Sequence, residues 1–288
     1  MRVSHCLIIW RDTMFSTRET LGIELPYYGF MTGLGILACF LVIKFITMKR
    51  RKNIEGYRYV IIGVVGGICG FIMAHIVFAV AQHEKLYFVF THLDRVFSSF
   101  KMFALYAMDI FGGMVFYGGL IGACIGAYIS MKTQRLDVRS YSDTIVPCIP
   151  LFHAFGRIGC FLAGCCYGVE SDFGFVYRHS LIESANGVRR LPIQLIESGE
   201  NIVIFIVLLF LLCRCKNLKN GILIWIYGLI YPVLRFINEF FRGDISERGY
   251  FGALSTSQWL SIFIFAFSLF MLIRDLRKRD DKNFQSNT

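Results

Sequence analysis

The chain has 288 residues, 56% hydrophobic and 17% charged, with a mean hydropathy of +0.57, which excludes an ordinary soluble domain and predicts a polytopic membrane protein. The formal net charge of +10 would suit nucleic acid, but the basic residues sit in short clusters between apolar runs. There is no zinc-finger spacing or long basic stripe, so no nucleic-acid partner is expected.

Residues Met1–Pro26 carry only a short apolar patch, Cys6–Trp10, broken by Arg11 and Asp12. That is too short for a span, and no cleavable signal peptide is expected. Seven stretches then approach the roughly 20 residues that cross a bilayer. They are Tyr27–Thr47, Tyr59–Ala81, Phe111–Met131, Asp143–Cys166, Pro192–Cys213, Gly221–Phe241 and Gln258–Ile273. The fold class expected is therefore an all-α membrane protein of seven transmembrane helices in one domain, 1–288. Pro147 and Pro150 should loosen or kink the start of the fourth span. His83–Ile110 mixes Phe88, Phe90, Phe97, Phe100 and Phe103 with Lys85, Asp94, Arg95 and Lys101, the pattern of an interfacial helix or lid. Residues Asp280–Thr288 read as a disordered polar tail.

Orientation follows from the basic residues. Lys49–Lys52, then Lys132, Arg135 and Arg139, then Arg214, Lys216 and Lys219, then Arg274, Arg277, Lys278 and Arg279 follow the odd-numbered spans. The positive-inside rule puts these loops and the C-terminus in the cytoplasm, with the N-terminus and the amphipathic segment on the outer face. Arg178, Arg189 and Arg190 are exceptions on the opposite side.

Three stretches carry the chemistry. The third span opens with Gly112, Gly113, Gly118, Gly119 and Gly122 around Tyr117, a nearly bare helix side. Glycine this dense costs about 0.5–1 kcal/mol per residue in an ordinary helix, so a neighbouring helix or a lipid must come close. The block Gly156–Gly168, GRIGCFLAGCCYG, sets Arg157 among small, apolar and cysteine residues. A charge at membrane depth costs about 3 kcal/mol or more and needs an anion, unless the side chain snorkels to the interface. The sixth span ends YPVLRFINEFFRGD, where Tyr231, Arg235, Glu239 and Arg242 share one helical face. Arg235 and Glu239 should pair there, as a salt-bridged stripe between helices or as part of a site. Arg157 and Arg242 then leave net positive charge. Phosphate is the fitting guest, since arginine binds it bidentately and keeps its proton.

The chain has ten cysteines, a number that would mark a disulfide scaffold in a small secreted protein. Here Cys39, Cys69, Cys124, Cys148 and Cys213 lie in or beside apolar runs, where a thiol acts as a small hydrophobe. Only Cys160, Cys165 and Cys166 are grouped. Their C-x4-CC spacing is not a recognised zinc pattern, so packing is their expected role, with a metal or redox centre as the alternatives.

Together these pieces resemble the bacterial prolipoprotein diacylglyceryl transferases. The matching motifs are Tyr27–Tyr28–Gly29, GGMVFYGGLIG at Gly112–Gly122, the Gly156–Gly168 block, LPIQLIE at Leu191–Glu197, YPVLRFINEFFR at Tyr231–Arg242 and SQWLS at Ser257–Ser261. The resemblance covers nearly the whole chain in the family's order. It implies transfer of the diacylglyceryl group of phosphatidylglycerol to the cysteine thiol of a prolipoprotein signal peptide, in the bacterial cytoplasmic membrane, without a cofactor. It implies catalytic roles for Arg157, Arg235, Tyr117 and Glu239, and substrate contacts from Tyr28, Gly118, Gly119, Cys160, Gly164, Gly168, Gln194, Tyr231 and Arg242. This chain departs from the family where Tyr117 stands for its usual histidine. It departs again where Cys160 and Cys165 stand for an asparagine and a glutamate, and where Ile68 stands for a basic residue. The other class of reading is a transporter or lipid-binding protein for an anionic lipid that keeps the fold without the chemistry.

Overall fold

The structure is a computed structural model of the chain, and it describes residues 17–20, 23–49, 56–81, 83–111, 116–178, 180, 182–215, 218, 220–244 and 250–286. The patch Cys6–Trp10, the glycines Gly112 and Gly113, and the basic residues Arg50–Lys52, Lys216 and Lys219 lie outside them.

A short antiparallel hairpin, β1 (Thr17–Thr20) and β2 (Ile23–Pro26), leads into α1 (Tyr27–Lys49). Next come α2 (Tyr57–Ala81), α3 (His83–Thr91), α4 (Leu93–Val96), α5 (Phe100–Phe111) and α6 (Phe116–Thr133). The chain continues through α7 (Val138–Ile145), α8 (Cys148–Ala163), β3 (Glu170–Val176) and β4 (Arg189–Arg190). It ends with α9 (Ile193–Arg214), α10 (Leu223–Asn238), the β5–β6 turn (Tyr250–Phe251, Leu254–Ser255) and α11 (Thr256–Ser286).

Six helical stretches are long and apolar enough to cross a membrane: 27–49, 57–80, 138–163, 193–214, 223–241 and 256–277. They match six of the seven expected spans. The third has α6 as its counterpart, with 18 residues, about 27 Å at 1.5 Å per residue. Pro147 and Pro150 act as their chemistry requires, since α7 stops at Ile145 and α8 restarts at Cys148. The expected amphipathic segment is helical, broken into α3, α4 and α5, and Lys85 pairs with Asp109 at 2.6 Å across it. Helix α11 runs on to Ser286.

The chain folds as two compact units. In the first, α2 lies against α6 through their small residues. A Cβ at Gly122 would stand 2.4 Å from the Cys69 carbonyl oxygen, and one at Gly118 2.8 Å from that of Met73. The bare side of α6 is therefore occupied by α2 at both positions, so a neighbouring helix is what approaches these two glycines.

In the second unit α1 packs on α8, α8 on α9, α9 on α10 and α10 on α11. Its apolar core joins Ile46, Val146, Ile204, Leu208, Leu212 and Leu223. The start of α10 is held by the buried Asp143, whose carboxylate accepts from the Gly221 and Leu223 amides at 2.7 and 3.3 Å, satisfying donors that a helix start leaves unpaired.

Candidate active site

The site is assembled in the second unit from α8, α9 and the end of α10. On α8, Leu151, Ala154 and Arg157 are buried at helical spacing, so the face that packs inward carries the arginine with it. On α9, Gln194, Glu197, Ser198 and Asn201 are all buried. Their offsets of three, four and seven residues make one polar stripe along an otherwise apolar helix. Ser198 donates to the Ala154 carbonyl at 3.1 Å, fixing α9 against α8.

Glu197 is the centre of the arrangement. One carboxylate oxygen lies 2.5 Å from Arg157 Nε and the other accepts from Arg235 at 3.2 Å. The second amino group of Arg235 reaches Glu239 at 2.8 Å and donates to Ser257 Oγ at 3.2 Å. The result is a buried line Arg157–Glu197–Arg235–Glu239 in which every charge touches its opposite. Arg235 and Glu239 pair as their spacing requires. Glu197, present in the sequence only as the last residue of LPIQLIE, is the anion that Arg157 needs.

Two expectations are corrected here. Arg242 does not continue the helical face: α10 ends at Asn238, one 3-10 turn covers Glu239–Phe241, and Arg242 is extended. It forms an isolated antiparallel bridge with Gly168 and pairs through two bonds with Asp244. Net positive charge is not what the described cluster carries, because Arg157, Arg235 and Arg242 are matched by Glu197, Glu239 and Asp244. A buried charge without its opposite would cost several kcal/mol.

The remaining predicted residues of the second unit lie on α1, α8, α9, α10 and the segment after α8. Tyr28, in the first turn of α1, lays its ring over Gly159, 3.1 Å from where a Cβ would be. Gly164 caps α8 at φ 75°. Gly168 brings its backbone so close to Leu191 that a Cβ would lie 2.3 Å from the carbonyl oxygen. Gln194 donates to the Cys165 carbonyl at 2.7 Å and to the Tyr177 hydroxyl at 3.2 Å. Burial pushes the Tyr177 phenol up to about 12, so it stays protonated. Cys160 occupies the last turn of α8. Tyr231 stacks on Tyr227 and lies 5.4 Å from the His153 ring. Tyr117, Gly118 and Gly119 belong to the first unit, at the start of α6; the Tyr117 side chain lies outside the described residues.

A small cavity opens beside the ion line, walled by His153, Glu197, Glu200, Asn201, Tyr231, Arg235 and Asn238 with Ile204 and Leu234. His153 and the Glu200–Asn238 hydrogen bond (2.5 Å) were not singled out in the sequence. The signal was there in the polar stripe of α9 and in His153 lying one turn before Arg157. Arg190, an exception to the basic-residue rule, is a structural pin. Its guanidinium donates to the Ser184, Ala185 and Gly168 carbonyls and lies 4.3 Å from the Tyr167 ring centroid.

Chemically, two guanidiniums from different helices, held on one carboxylate, form a rigid fork suited to a tetrahedral oxyanion. The family model described as prolipoprotein diacylglyceryl transferase matches residues 18–274. A Clostridium tetani protein named phosphatidylglycerol–prolipoprotein diacylglyceryl transferase is 33% identical over 257 residues, 88% of this chain and 94% of that one. A Clostridium perfringens protein of the same name, numbered 2, is 35% identical over 250 residues, 85% and 89% of the two chains. A Helicobacter pylori relative of that name is 31% identical over 270 residues, 88% and 89%. With a family match across most of its length, the chain belongs to the prolipoprotein diacylglyceryl transferase family.

Proposed function

We propose that this chain transfers the sn-1,2-diacylglyceryl group of phosphatidylglycerol to the lipobox cysteine thiol of prolipoproteins and releases glycerol phosphate. The observation that carries the reading is the meeting of Arg157 and Arg235 on Glu197, in a chain of this family. The reaction is displacement at carbon. A thiolate attacks the glycerol CH2, the carbon–oxygen bond breaks, and the phosphate leaves with the electron pair. A phosphodiester with one negative charge becomes a monoester on which a second charge grows. Fixed guanidiniums stabilise that growing charge more than the ground state, which is what lowers a barrier. Glu197 and Glu239 hold the forks in place at rest, so little reorganisation is needed when phosphate oxygens arrive.

The nucleophile asks little of a base. A cysteine of pKa about 8.5 needs only about 2 kcal/mol for deprotonation at pH 7. Arginine charge can supply part of this, and Tyr117 then positions lipid or thiol by hydrogen bonding instead of removing the proton. Tyr28, Gly164, Gly168, Gln194, Tyr231 and Arg242 shape and brace the pocket. Gly118 and Gly119 also pack α6 on α2.

The topology that accompanies this reading is a single seven-span domain in the bacterial cytoplasmic membrane, N-terminus outside and C-terminus inside. The basic clusters after the odd-numbered spans support it. Complementation of a strain depleted of its own diacylglyceryl transferase tests the function. Restored growth with lipoproteins of diacylglyceryl-shifted mobility and mass is expected; expression in the membrane without that mass shift would overturn it.

A further inference from the structure

The thiols of Cys160, Cys165 and Cys166 are grouped in the sequence and gathered in space. Their three Sγ atoms all lie within 4.8 Å of one another. Local backbone geometry makes them converge. Helix α8 ends in a left-handed Gly164 at φ 75°, and the Cys165 amide returns to the Cys160 carbonyl at 3.1 Å, the six-to-one bond of a Schellman stop. Cys166 follows at φ 53°, a left-handed conformation that a non-glycine residue adopts at a cost. The reversal folds both later cysteines back onto the last helical turn. C-x4-CC therefore brings three sulfurs together although it matches no zinc spacing.

We propose that Cys160, Cys165 and Cys166 bind one soft divalent cation of the zinc class as thiolates, with the fourth coordination position open to the thiol of the acceptor. Metal–sulfur bonds of about 2.3 Å at tetrahedral angles put sulfurs about 3.8 Å apart, so no pair needs to close by more than about 1 Å. Soft thiolates select such a cation over magnesium or calcium. Three sulfurs favour it over a disulfide, which would join two and strand the third. Three thiolates around a divalent ion leave one negative charge, and Arg157, three residues before Cys160 on α8, shares its helix face. At the sulfur cluster Cys160 and Cys165 are buried and Cys166 is partly open, so protein closes the site on two sides and access lies on the Cys166 side. A site with three protein ligands and one open position is the catalytic zinc pattern.

The acceptor role rests on the transferase reading. An acceptor thiol entering the open position loses its proton to solvent and is held as a thiolate. Its sulfur then forms the bond to the glycerol carbon while the phosphate departs with the carbon–oxygen electron pair. Nothing is oxidised or reduced. This answers the replacement of the family's histidine by Tyr117: the deprotonation that a base would assist is done by a cation.

The test uses full-length enzyme purified in detergent under reducing conditions, loaded with Zn2+ or Co2+ and equilibrated against a weak chelator. Wild type should retain one zinc per chain, and its cobalt form should show thiolate-to-cobalt charge-transfer absorption. Each of Cys160→Ser, Cys165→Ser and Cys166→Ser should bind zinc at least about tenfold more weakly, and the triple variant should lose the ion. Cys39→Ser with Cys148→Ser, which alters a distant thiol pair, should keep it and so separates metal loss from misfolding. A lipobox peptide should shift the cobalt bands, and the same peptide with serine for its cysteine should not. Wild type that holds no more zinc than the triple variant, or a cobalt form without sulfur charge transfer, overturns the site. Bands that ignore the cysteine peptide in an enzyme that still makes diacylglyceryl product overturn the acceptor role. Absence of product altogether, with metal bound, would instead count against the transferase reading.

Discussion

Helices α2 and α6 meet through backbone, whereas α8, α9 and α10 meet through buried charge. In the first pair, glycines let a carbonyl sit where a side chain would be, as at Gly122 and Cys69. In the second group, Glu197 joins Arg157 to Arg235 with nearly the whole of each side chain out of solvent. Lipid is as apolar as leucine, so helices in a membrane gain nothing from burying leucine against one another. Close backbone packing and paired polar groups are the two solutions left, and this chain uses one in each region. The glycine contact should be indifferent to charge and intolerant of a methyl group. The ion line should be the reverse, and it alone offers chemistry.

The largest break in that contrast should come from Arg157→Ala, with transfer to a lipobox peptide falling about 10³-fold or more, the scale of losing a preorganised donor to a developing oxyanion. Arg157→Lys should recover only part, because a point charge does not replace a planar fork; wild-type turnover by the lysine variant at equal expression would remove this role. Glu197→Gln keeps the shape and deletes the shared anion. Leaving buried charges unbalanced should cost about 3–5 kcal/mol of stability, read as a lower melting temperature in detergent together with loss of turnover. An unchanged melt would mean that the arginines do not depend on it.

Gly122→Ala should cost about 1–3 kcal/mol by overpacking, with a lower melting temperature and no change in the pH profile. Gly67→Ala on α2, where a Cβ meets nothing within 4 Å, should be neutral or gain up to about 1 kcal/mol from helix propensity. The difference between these two alanines isolates the close contact from propensity. The smallest effect on activity is expected at Tyr117. Tyr117→Phe should slow transfer about three- to tenfold, the worth of one hydrogen bond, and Tyr117→His should be tolerated. Assay of both across about pH 6 to 9 decides the matter: a loss beyond about a hundredfold that recovers as pH rises would make Tyr117 the base.

Much of this protein was legible in one dimension. Six spans, the proline break at Pro147, the amphipathic stretch as helix and the Arg235–Glu239 pair follow from apolar length, proline chemistry and helical spacing, all of which act within one segment. The register of six motifs was enough to place the family. What the sequence could not contain is which helix faces which. Arg157 demanded an anion, yet Glu197 lies on a different helix far along the chain, and only the packing of α8 on α9 makes it the partner. Arg242 looked continuous with its helix until the chain turned extended to bridge Gly168. The thiols of Cys160, Cys165 and Cys166 read as packing because C-x4-CC fits no known spacing; a left-handed turn at Gly164 brings them together. Local physics sets the elements, since helical hydrogen bonds and apolar length act over a few residues. Neutralising a buried charge takes whatever opposite charge the tertiary fold brings near, and that choice is made by packing.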